Sequence, residues 1–275
     1  MTALGRRGVV ALLVVGSVAL LGACTEGDGG TSPDTGDGRT TVRVAAAADL
    51  KFALDEVVDL VAAEDPRIVV DPVYGSSGTF LQQIENGAPF DLYLSADLAY
   101  PRALVDSGKA AEEDLFAYAV GRLVLWVPEG SPLDPEDGLA ALTDPAVRRV
   151  SIANPEHAPY GEAAVAALET SGVYDEVRPK LVLGENVAQA AEFVQSGNAD
   201  AGVVAKSLVL SDPVRGTGRW YELPLDLYPR LHQGGVVLGD ARDADAARTV
   251  RDVLLSEPGR EILDRYGFTL PEGEQ

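Results

Sequence analysis

Apolar positions in this chain fall into short continuous runs and helical stripes that take turns along the sequence. Residues 41–47 (TVRVAAA) form an apolar run of strand length, and positions 50, 53, 54, 57 and 61 then recur at helical spacing behind Asp49, which is placed to cap that helix. Residues 69–74 predict a second strand, Gly75-Ser76-Ser77-Gly78 a turn, and Thr79 the opening of a helix. A Gly-Ala-Pro turn at Gly87 leads into a short strand over 91–95, and a helix over 98–107 closes on Gly108. Strand and helix alternating in this way predict a mainly parallel sheet with right-handed crossovers.

Residues 115–127 make one long β-prone run with Gly121 inside it, which suits a hinge or a crossover between sheets. A second α/β body follows: a short helix after Asp137, a strand over 149–153, the loop from Asn154 to Gly161, and a helix over 162–170. A strand over 180–184, a helix over 186–196 and strands over 200–205 and 220–223 complete it. After Gln233-Gly234-Gly235 a strand over 236–238 returns to the first sheet, and two helices with Val250, Val253, Leu254, Ile262, Leu263 and Tyr266 as their apolar face close the chain. The expected architecture is therefore α/β with two lobes, each a mixed, mainly parallel sheet flanked by helices. Lobe 1 takes residues 41–119 and the return segment 232–275, and lobe 2 takes 120–231. A chain that leaves one lobe, builds another and comes back leaves a cleft between them, where small ligands bind.

The loop at Gly75 lends that cleft its chemistry. The first N–H groups of a helix lack internal partners and carry the positive end of the helix dipole, so the start of the second helix suits an anion. Ser76, Ser77 and Thr79 add uncharged donors, although the same residues also serve as plain helix caps. The net charge of −21 works against nucleic acid as a partner, since phosphate binding wants clustered Lys and Arg. It also means that an anion must be held by directed hydrogen bonds, because the long-range field does not help its capture.

Two segments precede the folded part. Residues 1–23 read as a signal peptide, with Arg6 and Arg7 ahead of an apolar run too short to span a membrane. The run ends Leu21-Gly22-Ala23-Cys24, which resembles a bacterial lipobox and implies that Cys24, the single cysteine, becomes the first mature residue and carries the lipid. Residues 24–40, rich in Gly, Asp, Ser and Thr, read as a flexible tether. The expected location is extracytoplasmic, lipid-anchored to the cell membrane.

Catalytic patterns are thin. Gly75-Ser76-Ser77-Gly78 does not fit the Gly-x-Ser-x-Gly elbow of serine hydrolases, and no phosphate-binding P-loop is present. Two histidines, His157 and His232, supply His-based acid–base chemistry poorly, and a lone cysteine forms neither a disulfide nor a thiolate metal site. Glu112-Glu113-Asp114 reads as a solvated turn.

Five motifs in order carry a resemblance: AAAADL at Ala45, YGSSGT at Tyr74, GAPFDLYLSAD at Gly87, NPEHAPYG at Asn154 and RYGF at Arg265. Together, over about residues 42–268, they resemble the molybdate-binding proteins of bacterial molybdate ABC transporters, periplasmic-binding-protein-like folds of type II. The resemblance implies a monomer that holds molybdate, and tungstate, between its lobes by neutral hydroxyl and backbone N–H groups, and passes it to a permease with its ATPase. It implies no enzymatic activity, no cofactor, and molybdenum present only as the bound oxyanion, without direct protein ligands. Carried over, Ser77 donates its hydroxyl and N–H, Val187 its N–H, and Tyr160 its N–H or hydroxyl, with Ala48, Ser76 and Lys206 as lesser candidates. Asp49 departs from the family's frequent hydroxyl at the end of the first strand. A carboxylate there either turns onto the helix start, leaving its main chain to the ligand, or accepts a proton from a protonated oxyanion. The second reading favours phosphate or sulfate as the alternative ligand; an enzyme on the same fold is a more distant one, with Asp49, His157 and Lys206 as its only candidates. His157 is expected to hold its loop through ring hydrogen bonds.

Overall fold

The computed structural model describes residues 38–271. The expected signal peptide, Cys24 and nearly all of the tether lie outside the described residues. Elements run in the order β1 (Thr40–Ala47), α1 (Lys51–Glu64), β2 (Ile68–Gly75), α2 (Ser77–Glu85), β3 (Leu92–Ser95), α3 (Ala99–Asp106), β4 (Ala110–Gly121) and β5 (Leu123–Pro128). There follow β6 (Val150–Ala153), α4 (Pro159–Thr170), α5 (Tyr174–Val177), β7 (Leu181–Gly184), α6 (Val187–Gln195), β8 (Ala201–Ala205), α7 (Lys206–Val209) and β9 (Gly218–Glu222). The chain closes with β10 (Leu231–Leu238), α8 (Ala244–Leu255) and α9 (Glu257–Arg265).

The strands form two five-stranded sheets, in the orders β2-β1-β3-β10-β4 and β7-β6-β8-β5-β9. Both are mixed. In the first, β1 pairs parallel with β2 and β3, while β10 runs antiparallel to β3 and β4. In the second, β6 pairs parallel with β7 and β8, while β5 runs antiparallel to β8 and β9. The parallel pairings are those the strand–helix alternation predicts, and the antiparallel ones come from the long β4–β5 run and from the returning β10.

Burial follows from position. In β1, Val42 and Val44 to Ala47 are all buried, as an inner strand with both faces covered requires. The edge strand β2 alternates instead, with Ile68 and Val70 inside and Val69 and Asp71 outside. Leu50, Ala53, Leu54, Val57 and Val61 all face inward, so the helical stripe has its core. At about 25 cal/mol per Å² of apolar surface, such a stripe does more to hold α1 than intrinsic propensity does. Gly121 marks the crossover: β4 lies in the first sheet and β5, after Arg122 alone, in the second.

Several boundaries differ from expectation, each for a physical reason. Asp49 caps nothing. It sits in a 3-10 turn, Ala48–Leu50, that runs directly into α1, and neither start carries a side-chain cap bond, because the carboxyl is engaged elsewhere. The segment after Asp137 is a 3-10 stretch, Pro135–Thr143, broken at Gly138, whose φ of 62° is left-handed. Helix α2 opens two residues early, at Ser77, and α4 three residues early, at Pro159, whose missing N–H suits a first helical position. Strand β10 begins at Leu231 and so takes in Gln233-Gly234-Gly235. A Cβ on Gly235 would stand 2.6 Å from the Phe116 ring and 2.8 Å from the Leu94 side chain, so this pair of glycines is close-packed strand.

Candidate functional site

Four segments and Ala96 meet at one small cavity. Its wall is the turn Ala47-Ala48-Asp49 after β1, Gly75-Ser76-Ser77 before and within α2, and Ala96. Ala158-Pro159-Tyr160 at the start of α4 and Asn186-Val187 at the start of α6 complete it. The first two segments belong to the first sheet's side and the last two to the second's. Each of the four follows a strand at its carboxyl end, where parallel strands hand over to helices, and that shared geometry brings four helix starts to one place.

Each start contributes a differently prepared donor. Ser77 is the first residue of α2, so its N–H has no partner within the helix. Its hydroxyl oxygen accepts the Ala96 N–H at 3.0 Å, which fixes the oxygen while leaving the hydroxyl hydrogen to donate. The Ser77 carbonyl is in turn held by the Tyr93 hydroxyl at 2.7 Å. At α6 the cap Asn186 accepts the Ala188 and Gln189 N–H groups, each at 3.0 Å, and so leaves the Val187 N–H over. The Val187 side chain is core. Tyr160, second in α4 behind Pro159, presents its N–H in the same way.

Ser76 also lines the cavity, but its hydroxyl hydrogen is spent on the His157 carbonyl oxygen. His157 Nδ1 lies 2.9 Å from that hydroxyl and Nε2 lies 3.1 Å from the Asn154 amide. Ser76 therefore accepts from an Nδ1–H tautomer whose Nε2 accepts from Asn154. The Gly78 N–H adds a 2.9 Å bond to the same carbonyl, so His157 and its loop form the strap that joins the two sides of the cavity. Lys206 stands apart from the cavity wall: its ammonium is 2.6 Å from Glu222 and packs over Trp220. The Ala48 backbone is part of the wall.

The tyrosine hydroxyl and Asp49 are bound up with each other. Tyr160 Oη donates to Asp49 Oδ2 at 3.0 Å, and Gln233 Nε2 reaches Oδ2 at 2.6 Å and Tyr160 Oη at 3.2 Å. Gly121 gives this cluster room, since a Cβ there would collide with the Tyr160 hydroxyl and stand 2.7 Å from Gln233 Nε2. Ser207 secures the Asp49 main chain, donating to its carbonyl at 2.7 Å. Asp49 is 1 % exposed, and burial pushes its carboxyl up to about 6 against the lowering by Gln233 and Tyr160. Burial and the neighbouring Asp49 both keep the Tyr160 hydroxyl protonated well beyond the usual tyrosine range.

The structure thus brings Asp49, Ser77, Tyr160, Val187, Ala48 and Ser76 to one cavity and leaves Lys206 outside it. Sequence reasoning missed Gln233, a fully buried amide left just ahead of the expected strand, and Asn186 as a cavity-wall cap. An Asn directly before an apolar helical stripe was the available signal for the second, whereas His232 and Gly234 on either side of Gln233 offer no local signal for the first. Asp49 is the one charged side chain on the wall, no cation among it. Among the described residues no group of three His, Cys, Asp or Glu side chains is placed to hold a metal ion, and no helix is long and apolar enough to cross a membrane.

Comparison with known proteins agrees with this geometry. The family model of the bacterial extracellular solute-binding proteins matches residues 42–269. The molybdate-binding protein ModA of Azotobacter vinelandii is 37% identical over 229 residues, covering 83% of this chain and 90% of that protein. ModA of Rhodobacter capsulatus is 36% identical over 263 residues, 96% of each. The solved structure of the Azotobacter vinelandii periplasmic molybdate-binding protein superposes with a TM-score of 0.77 at 28% identity, covering 84% of this chain and 100% of the other. The two mixed sheets, the helix starts gathered at one cavity and a match over nearly the whole described chain identify it as a member of the bacterial extracellular solute-binding protein family.

Proposed function

We propose that this chain captures molybdate, and tungstate with it, in the cavity between two lobes and delivers it to the permease and ATPase of an ABC importer. The observation that carries the reading is the donor set: helix-start N–H groups at Ser77, Tyr160 and Val187, the Ser77 hydroxyl, and no cationic side chain on the wall. Such a set suits a small tetrahedral dianion, which presents acceptors in every direction and gains from helix dipoles without a salt bridge. The relatives named for molybdate binding support the same ligand.

In this reading the chain through β4 and again from β10 onward forms one lobe, a residue or two beyond the expected bounds at 119 and 232, β5 through β9 form the other, and closing them around the ligand completes the donor set. The oxyanion is the cargo; no residue bonds the molybdenum, no cofactor takes part and no bond is made or broken. The chain acts as a monomer, held outside the cytoplasm by lipid on Cys24. The test is the thermal midpoint of the full chain, purified in detergent, with molybdate, tungstate, sulfate or phosphate in matched buffers. A ligand at a thousand times its dissociation constant stabilises by about 4 kcal/mol, so the expected result is a clear rise with molybdate and tungstate. A rise with phosphate or sulfate alone moves the substrate to that anion, and no rise with any of the four refutes the reading.

A further inference from the structure

Asp49 is an anomaly in a site built of donors. A carboxylate on the cavity wall, with no cation beside it, repels a bound dianion across a few ångströms of poorly screened space. Its two oxygens differ. Oδ2 is fully engaged, accepting from Tyr160 Oη and Gln233 Nε2. Oδ1 is buried and has no hydrogen-bond partner among the described residues. An orphaned buried carboxylate oxygen is costly, and it is unusual beside a cavity walled by N–H groups.

We propose that the site binds its oxyanion together with a proton: Asp49 takes the proton at Oδ1 from solvent as the anion enters, and the resulting O–H donates to a ligand oxygen. The inference rests on the reading of the cavity as an oxyanion site. Protonation removes the repulsion, gives the orphaned atom its partner and turns the one charged acceptor on the wall into a further donor, while Oδ2 keeps both of its hydrogen bonds. The proton moves from bulk water to Oδ1, and no other bond changes.

Burial favours the neutral acid and outweighs the hydrogen bonds from Gln233, Tyr160 and the Asp49 and Leu50 backbone that favour the anion, and no cation faces the carboxyl. From β1 and the 3-10 turn come alanine and Leu50 side chains and the backbone N–H groups of Asp49 and Leu50, and the nearest lysine along the chain, Lys51, is drawn to Asp55 at 3.3 Å. From α4 comes Tyr160 and from β4 Tyr118, both held protonated by burial and by Asp49 itself. From β10 comes the neutral amide of Gln233, and from α6 Asn186 and Val187. From α7 comes the Ser207 hydroxyl, while Lys206 is paired with Glu222. Of the charged groups near the rim, Glu185 lies beside His157 and Thr79 and outside the wall. Burial already pushes the Asp49 carboxyl up to about 6 without ligand, and the like charge of an added dianion pushes it further.

Calorimetric titration of the full chain with molybdate between pH 6 and 8.5, in buffers of differing ionisation enthalpy, tests this, since molybdate itself stays a dianion throughout. Near pH 8 the wild type should take up close to one proton per ligand, and its affinity should fall by about tenfold per pH unit above the carboxyl's range. Asp49→Asn, whose amide imitates the acid with a donor in place of Oδ1–H, should bind without proton uptake, with flat pH dependence, and at least as tightly as the wild type at pH 8. Wild-type affinity that is flat with pH, without proton uptake, overturns the inference and leaves the oxyanion reading standing. Loss of molybdate binding in a folded Asp49→Asn chain overturns it as well. Failure of the wild type to bind molybdate even at pH 6 overturns both. The wild-type proton count stands by itself should the variant fail to fold.

Discussion

Gly78→Ala separates binding from folding. Gly78 is the second residue of α2, and its N–H donates across the cavity mouth to the His157 carbonyl at 2.9 Å. A Cβ at this position would stand 2.7 Å from that same oxygen and 3.1 Å from the His157 Cα, both backbone atoms. The obstacle does not swing away, because the loop is fixed by Ser76 on the His157 carbonyl and by Asn154 on the imidazole. The two sides must therefore part by several tenths of an ångström, losing one hydrogen bond worth about 1 kcal/mol and adding about 1–3 kcal/mol of contact strain. If ligand binding requires the two sides to meet, the cost of about 2–4 kcal/mol weakens molybdate binding by a factor of about thirty to several hundred. Ligand-free stability should move the other way, since Ala is favoured over Gly in a helix by up to about 1 kcal/mol and an open molecule feels no clash. Titration calorimetry on the full chain gives the affinity, and urea denaturation without ligand gives the stability. Unchanged affinity would refute the argument, as would a loss of stability matching the loss of affinity, since either would mean that the strap is no closing contact.

The remaining predictions follow from the donors and from Asp49. Ser77→Ala removes one hydroxyl donor while leaving the main-chain N–H, and should weaken molybdate binding by about 1–2 kcal/mol, roughly five- to thirtyfold, in the same titration. Val187→Pro deletes a single N–H at a first helical position that accepts proline, behind an Asn186 already extended at φ −145° and ψ 177°; binding should fall by at least about tenfold with α6 intact by circular dichroism, and unchanged binding would remove Val187 from the donor set. Asp49 binds its proton more tightly folded, at about 6, than in the unfolded chain near 3.8, so its contribution to stability is greatest at low pH and is lost as pH rises through that window. The loss amounts to about 3 kcal/mol. Urea midpoints of wild type and Asp49→Asn should therefore diverge in favour of the variant from pH 4 to 7.5, and parallel profiles would refute the assignment.

Local signals carried the fold further than they carried the site. The α1 stripe and the apolar β1 run are written in periodicity, and each does in the structure what the period demands. The helix start behind Gly75 was legible because a helix start is a local event, readable from a turn and the stripe that follows it, whereas Val187 came only from the family resemblance. Asp49 was only half legible. An acid before an apolar stripe reads as a cap, yet its carboxyl is drawn to Tyr160, 111 positions away, and to Gln233, 184 positions away. Nothing local announces such a partner. Gln233 was lost for the same reason: Gly234 and Gly235 stand outside the expected strand until Leu98 is seen to crowd Gly234, and the Phe116 ring and the Leu94 side chain to crowd Gly235. Lys206, a lesser candidate beside Ala205 at the end of an inner strand, pairs instead with Glu222 from a different strand at the sheet's edge.

That the cavity wall holds no cation bears on release as well as on capture. A lysine or arginine buried there would itself have to be desolvated, at a cost of several kcal/mol, and would then grip a dianion through a strong, poorly screened attraction. Helix-start N–H groups are ordered by the packing of their helices, so they need no further ordering when the ligand arrives, and each dipole contributes only partial charge. Because Ser77 stands on one side of the cavity and Val187 and Tyr160 on the other, opening the molecule removes part of the donor set at once. What remains is a half-site facing water, competing with hydration for the same anion. A proton leaving Asp49 on opening would complete the change, restoring a negative charge to the wall just as the second set of donors withdraws. Both effects would push the ligand outward, so under the proposed function a site assembled from neutral donors and one buried acid would discard its cargo by the same motion that uncovers it.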